Sequence, residues 1–394
     1  MLGAYESVLS VPGSRRLMSS ALVGRLPQGM SSLAILLLVR GATGSYGAAG
    51  AAVGTYALAS AVVAPVQGRL VDRFGRLRVL VPTAIGQGIA LAALVVAAHG
   101  QAGTAALVLL SGLAGALVPP IAPTVRALLG EVLRDPKVRE TGYALDAVAQ
   151  ELVWIAGPLV VAVIITATSP ADAVLLLAVV CISGTLLFVR SPLARDRTGP
   201  GSARARTAAL ASGRLRALLA PIALTGMGLG AIEVGLPSLA LHAGSRSASG
   251  LLLALWSVGS LTGGLWYGSR GWRSSLAVRY RLLLVLAVAC TAPLILARSI
   301  PAGIVCSLLA GLAIAPVFSC QYALVGRAVT PGSETEAFTW VTAALLAGLA
   351  AGAAVGGAMI GSQGVGAPFV FSCLATALAA VLAVGMRRRF ESSA

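Results

Sequence analysis

The residues that most often do chemistry are nearly missing from this sequence. It has two histidines, His99 and His242, and five cysteines, Cys181, Cys290, Cys306, Cys320 and Cys373. The cysteines are scattered, without metal or redox spacing, and read as small packing residues. A metal site, a His- or Cys-based catalytic centre and a bound cofactor are not expected, and neither is an enzyme. No G-x-x-x-x-G-K-[ST] run occurs, so ATP is not the expected source of energy. Charge is scarce as well. Charged residues are 11% against 57% hydrophobic, and mean hydropathy is +0.91.

What the chain does have is long apolar runs. Twelve stretches stand at roughly 17–39, 46–71, 79–99, 103–130, 142–166, 171–189, 217–241, 247–267, 282–297, 301–326, 337–361 and 365–386, each near the ~20 residues that cross a hydrocarbon core. A soluble core does not supply twelve successive segments that are apolar all round. The expected class is an all-α membrane protein. Its 47 glycines suit helices that approach closely in lipid. The first run follows about 16 polar or mixed residues and lacks a small-residue cleavage site, so it reads as a retained span.

The formal charge is +16, but its distribution speaks against nucleic acid as a partner. With the loops counted alternately from an inside N-terminus, 24 Lys and Arg fall on the inside and three, Arg40, Arg246 and Arg298, on the outside. This is a positive-inside pattern, and it predicts that both termini are cytoplasmic in a cell (plasma or inner) membrane.

The longest polar stretch, residues 191–216, divides six spans from six. The expected organisation is a six-helix bundle over 1–190, a cytoplasmic linker over 191–216 with room for a short surface helix, and a second bundle over 217–394. The halves look like copies. One gap-free offset sets Gly68 against Gly264, Gly75 against Gly271, Gly115 against Gly311, Pro120 against Pro316, Gly130 against Gly326 and Glu140 against Glu336. Parallel repeats of six spans are a plan of secondary transporters, with the solute site between the halves.

Between the second and third runs stands Gly68-Arg69-Leu70-Val71-Asp72-Arg73-Phe74-Gly75-Arg76-Leu77-Arg78. It resembles the G-x-L-x-D-R-x-G-R-[KR] loop of the major facilitator superfamily, and the resemblance extends to the twelve spans and the central linker. The superfamily fold, two pseudo-symmetric six-helix bundles, is thereby implied. So is a cytoplasmic gate built on Gly68, Asp72, Arg73, Gly75 and Arg76. Gly68 would let helices approach, Asp72 would face the positive N-terminus of a neighbouring helix, and Arg73 and Arg76 would pair with Glu131 or Glu140. The second-half copy has Gly268 where Asp72 would fall, so its latch should be weak or absent. Gly157-Pro158 in the fifth run resembles the G-P pair of exporters in the superfamily. The flanking pattern departs from theirs: Ala162 and Val163 replace a glycine pair, and Ser111 stands where an arginine would precede Gly115.

Away from the ends of the runs, five charged residues fall inside them: Arg25, Arg126, Asp146, Glu151 and Glu233. Each is costly in hydrocarbon, at least ~2.5–3.5 kcal/mol for Arg or Asp at a helix centre, so each should face a cavity or another charge. Arg25, Arg126, Asp146 and Glu151 lie in the inner half and form a charge-balanced set, either a permanent ion-pair cluster or a substrate and coupling site. Arg25 and Glu151 lie at one depth and are expected to interact. Glu233 stands in the outer part of the seventh run with no basic residue in its own span. A lone carboxyl in low dielectric favours its neutral form and suits proton coupling. Gln28, Gln150, Trp154, Trp256, Gln321, Tyr322 and Trp340 are candidate cavity residues, either lining a pocket or packing between helices. The combined expectation is a monomeric, proton-coupled exporter of small amphipathic or drug-like molecules in the lipid bilayer. A carrier of a specific metabolite such as a sugar, and a membrane sensor of the same fold, remain open alternatives.

Overall fold

The apolar runs become helices because nothing inside a bilayer but a helix or a closed barrel satisfies the backbone. In a computed structural model of the chain they follow in the order α1 (Leu2–Leu9), α2 (Ser14–Thr43), α3 (Tyr46–Phe74), α4 (Arg76–His99), α5 (Thr104–Ala116), α6 (Ile121–Val132), α7 (Pro136–Ala167), α8 (Pro170–Val189), α9 (Gly213–His242), α10 (Ala248–Gly268), α11 (Leu276–Thr291), α12 (Ile300–Gly311), α13 (Ile314–Ala328), α14 (Glu334–Gln363) and α15 (Ala367–Glu391). The structure describes residues 2–195, 208–245, 248–272, 274–329 and 331–391, with side chains from Tyr5 to Val384. Linker positions 196–207 and Arg246 lie outside them. Twelve spans result, with α5 and α6 sharing the fourth and α12 and α13 the tenth.

Those two spans break at equivalent places. The first break covers 117–120 and ends at Pro120, the residue before α6. The second covers 312–313, just before α13, which carries Pro316. A broken span frees carbonyls that need new partners. Gln67 of α3 supplies one, donating from Nε2 to the Ala116 carbonyl at 2.7 Å.

Several helix ends differ from the hydropathy reading. The ninth span starts at Leu276 rather than near 282, and the fifth at Pro136 rather than near 142. Arg279 and Glu140, read from the sequence as loop residues, are therefore helical. Apolar windows stop at charges, but these two charges satisfy each other and the helices continue through them. α9 begins at Gly213, inside the stretch read as linker, and the Ser212 side chain caps it by accepting from the Leu215 amide at 3.3 Å.

Glycines bring the helices to backbone contact. Gly157 of α7 lies against Gly29 of α2, and Gly24 of α2 against Gly184 of α8. In the second half Gly226 and Gly230 of α9 meet the Leu345 and Leu349 carbonyls of α14. Between the halves, packing is tight only at the face that carries the basic loops. A side chain at Gly68 of α3 would strike Thr339 and Glu336 of α14, and one at Gly268 of α10 would strike Tyr5 and Ala144. At the opposite ends of the same helices, Gly50, Gly54, Gly250, Gly357 and Gly361 have open space where a side chain would begin. The molecule is closed at its basic face and parted at the other.

Candidate functional site

Three of the five in-span charges meet in the interior. α6, re-aimed by the break that ends at Pro120, presents Arg126 to α7. Arg25 arrives from α2. Both hold Asp146: Arg25 Nη2 lies 2.5 Å from Oδ1, and Arg126 Nε lies 2.8 Å from Oδ2. Relative exposures are 1%, 4% and 0% for Arg25, Arg126 and Asp146, so the whole group is out of water. The cluster also reaches the second half. The Arg126 guanidinium carbon sits 3.9 Å over the Tyr322 ring of α13, a cation–π contact of the stronger, desolvated kind. Tyr322 in turn stacks on Phe318 and meets Phe338 of α14 edge-on, with centroids 6.1 and 6.3 Å apart.

Glu151 is not the partner of Arg25, contrary to the sequence expectation. Asp146 and Glu151 are five residues apart, about 140° around the helix. When Asp146 faces α2 and α6, Glu151 must face elsewhere. It turns to α10 of the second half, where the Ser260 hydroxyl stands beside its carboxyl and has no other hydrogen-bond partner among the described residues. Glu151 makes no ion pair among the described residues, yet it lies within electrostatic reach of Tyr322. Glu233 is exposed on α9 and likewise makes no ion pair among the described residues. Arg40, one of the three basic residues on the outer side, lies over the Tyr46 ring at 4.0 Å.

The gate residues sit at the closed face. Asp72 ends α3 against the N-terminus of α14. Its Oδ1 accepts from the Thr335 amide at 3.1 Å and its Oδ2 from the Glu336 amide at 2.8 Å. One carboxylate thus satisfies two of the four orphan amides of a helix in the other half and meets its dipole. Gly68, one turn earlier, allows the approach. Gly75 turns the chain at φ 93°, a value that favours glycine. Arg76 holds Glu131 through both oxygens at 2.7 Å. Arg73 lies 5.2 Å from the ring of Phe74, and Glu140 serves the other half.

The second-half counterpart, expected to lack a latch, is bridged by other means. With Gly268 in place of an aspartate, α1 fills the position. The Tyr5 hydroxyl lies 2.9 Å from the Leu265 carbonyl and 3.3 Å from that of Gly264. Burial pushes this hydroxyl up to about 12, so it stays a donor at neutral pH. Beside it Glu140 of α7 takes Arg279 of α11 at 2.7 Å and Arg327 of α13 at 3.4 Å. Neither Tyr5 nor Arg279 was singled out from the sequence. Only the near-repetition of Glu140 at Glu336 marked that level of the chain.

Of the other candidates, Gln321 is fully buried, with both amide atoms lacking a partner among the described residues. Gln150 Oε1, Trp256 Nε1 and Trp340 Nε1 are also buried and unpaired. Gln28 is half-buried and Trp154 exposed. The Gly157-Pro158 pair divides its labour. Gly157 makes the α2 contact, while Pro158 points outward.

Two six-helix halves that meet at a charged seam, closed at one membrane face and open at the other, have the architecture of a multi-pass membrane transporter. The family model of the Major Facilitator Superfamily matches residues 17–296, and the chain belongs to that superfamily. Among solved structures it is similar to the human organic anion transporter MFSD10 (TETRAN), at 19% identity and TM-score 0.74, covering 94% of this chain and 99% of that one. It is also similar to a bacterial homologue of the iron transporter ferroportin in an outward-facing state, at 15% identity and TM-score 0.73, covering 94% and 98%. At such identities these likenesses concern the fold. No curated protein matches the sequence significantly. The chain is a secondary transporter.

Proposed function

We propose that the protein exports small amphipathic organic molecules in exchange for protons, as a monomer in the cell membrane with both termini in the cytoplasm. The basic face is then cytoplasmic and the structure is an outward-facing state. The observation that carries the reading is Glu151, a carboxyl without an ion pair at the seam between the halves. It stands beside Ser260 of the second half and close to a cluster in which two guanidiniums share one aspartate. Protonating Glu151 removes a negative charge from the seam without leaving any ion pair broken. The attraction across the seam falls, and the cytoplasmic face can open. Proton release there restores the charge and favours return with solute. Asp146 cannot play this part without abandoning both arginines. Gln150, Trp256, Gln321 and Trp340 offer unpaired hydrogen-bonding atoms and ring faces on the seam helices, which suits solutes with mixed surfaces.

The test is pH-gradient-driven uptake of fluorescent amphipathic dyes into inside-out vesicles. Glu151→Gln should abolish driven accumulation while exchange without a gradient survives. Loss in Glu233→Gln with normal uptake in Glu151→Gln would move coupling to the second half. Normal driven uptake in both variants would exclude a proton carrier of this kind.

A further inference from the structure

A second charged cleft lies at the basic face, away from the buried cluster. It is a cavity of about 360 Å³ between the halves, within the ~300–1,000 Å³ usual for small-ligand sites. Its walls carry Lys137 from the first half and Arg270, Arg279 and Arg327 from the second, against one lining carboxylate, Glu140. Positive charge is therefore in excess. Arg279 is 3% exposed. It spends Nη2 on Glu140 at 2.7 Å, while its Nε and Nη1 donors meet no oxygen or nitrogen acceptor among the described residues and have only the Cys320 thiol nearby. A buried guanidinium with two unmet donors is expensive unless an acceptor arrives. The N-terminus of α11, with Ser275 just before it and Leu276 as its first residue, forms part of the same wall, so the positive end of that helix adds to the field. Trp272, 5.7 Å from the Arg279 guanidinium, closes one side with an apolar face.

We infer that this cleft is a binding site for a phosphate-bearing anion, either free phosphate or the headgroup of an anionic lipid. The planar guanidinium of Arg279, with two donors to give, suits phosphate oxygens. The surrounding cations match a charge of more than one. Because Lys137 belongs to one half and the three arginines to the other, the bound anion holds the basic face closed. It binds this state better than one in which the halves part there, and so shifts the population toward it. The site does not depend on which solute the transporter carries.

The experiment uses the full-length protein purified in neutral detergent. Its unfolding midpoint is followed against sodium phosphate, with sodium chloride at matched ionic strength as reference. A parallel series uses short-chain phosphatidylglycerol against phosphatidylcholine of the same chain length. A saturable rise with phosphate supports the site and makes the free anion sufficient. A rise only with phosphatidylglycerol supports it with a lipid headgroup as the source. Lys137→Gln and Arg270→Gln replace exposed side chains and should leave the fold intact. Each should weaken apparent affinity about tenfold, the scale of one charge-assisted hydrogen bond, and the double variant should lose the shift. Arg279→Lys keeps the charge and loses the fork, and should also bind more weakly. No saturable rise with either anion, or an undiminished rise in the double variant, overturns the site.

Discussion

At the scale of single residues, the interior is organised by one carboxylate serving two cations. Asp146 is buried with Arg25 and Arg126, and removing it leaves two guanidiniums uncompensated in low dielectric. Breaking such an arrangement costs about 3–5 kcal/mol. Asp146→Asn should therefore lower stability far more than Glu151→Gln, which has no ion pair to break. Chemical unfolding of the purified variants would show this, and equal losses would contradict the geometry. In a double-mutant cycle Arg25 should couple to Asp146 and be additive with Glu151 within ~0.5 kcal/mol. Asp72 acts differently. It caps α14 in the other half, and a latch built on that cap would bias the conformational cycle. Asp72→Asn keeps a weaker acceptor, so the protein should fold while turnover slows and solute affinity changes less. Wild-type flux under every gradient would remove the latch role.

At the scale of elements, α7 does the most. One of its faces carries Asp146 to α2 and α6, and another carries Glu151 to α10. Its first turns present Glu140 to α11 and α13, and Gly157 lets it touch α2 backbone to backbone. Gly157→Val forces that contact apart and should cost about 1–3 kcal/mol, the range for overpacking. Pro158→Ala, on the outward face, should change stability little. Thermal unfolding separates the two, and a comparable loss in Pro158→Ala would mean that the proline, not the glycine, is the structural member of the pair. The existence of these helices was legible in the hydropathy. Their ends were not wherever a charge was buried against another element, as at Glu140 and Arg279. A local window scores such a charge as solvent-facing, because the partner that makes it affordable to bury is more than a hundred residues away.

At the scale of the molecule, the halves touch through Asp72 and α14 on one side of the pseudo-twofold and through Tyr5, Thr141 and α10 on the other. Closure of the basic face is thus asymmetric, with a helix cap in one place and a tyrosine hydroxyl in the other. On a background with the five cysteines replaced, a Thr141→Cys, Ser269→Cys pair spans the second contact. A short bifunctional reagent should join it readily at rest and poorly when a pH gradient drives the cycle. Unchanged cross-linking in a transport-competent protein would mean that this contact never opens. Sidedness has its own check: a cysteine at Ser202 in intact cells should resist an impermeant reagent added outside.

Twelve spans, the division into two similar halves and the 68–78 loop motif could all be read from the chain itself. Hydropathy, charge placement and a local motif are properties of neighbouring residues, and a bilayer acts on them one segment at a time. The partner of Arg25 could not be read that way. Depth along the helix admitted both Asp146 and Glu151, and only the rotation of α7 against α2 and α6 selected Asp146. The same holds for Tyr5, whose role arises because α10 carries Gly268 where α3 carries Asp72, leaving space that α1 fills. Which face is closed was likewise a tertiary matter. It depends on Gly68 and Gly268 meeting the opposite half while Gly50 and Gly361 meet nothing, and contact between surfaces of separate bundles leaves no periodic trace in either sequence.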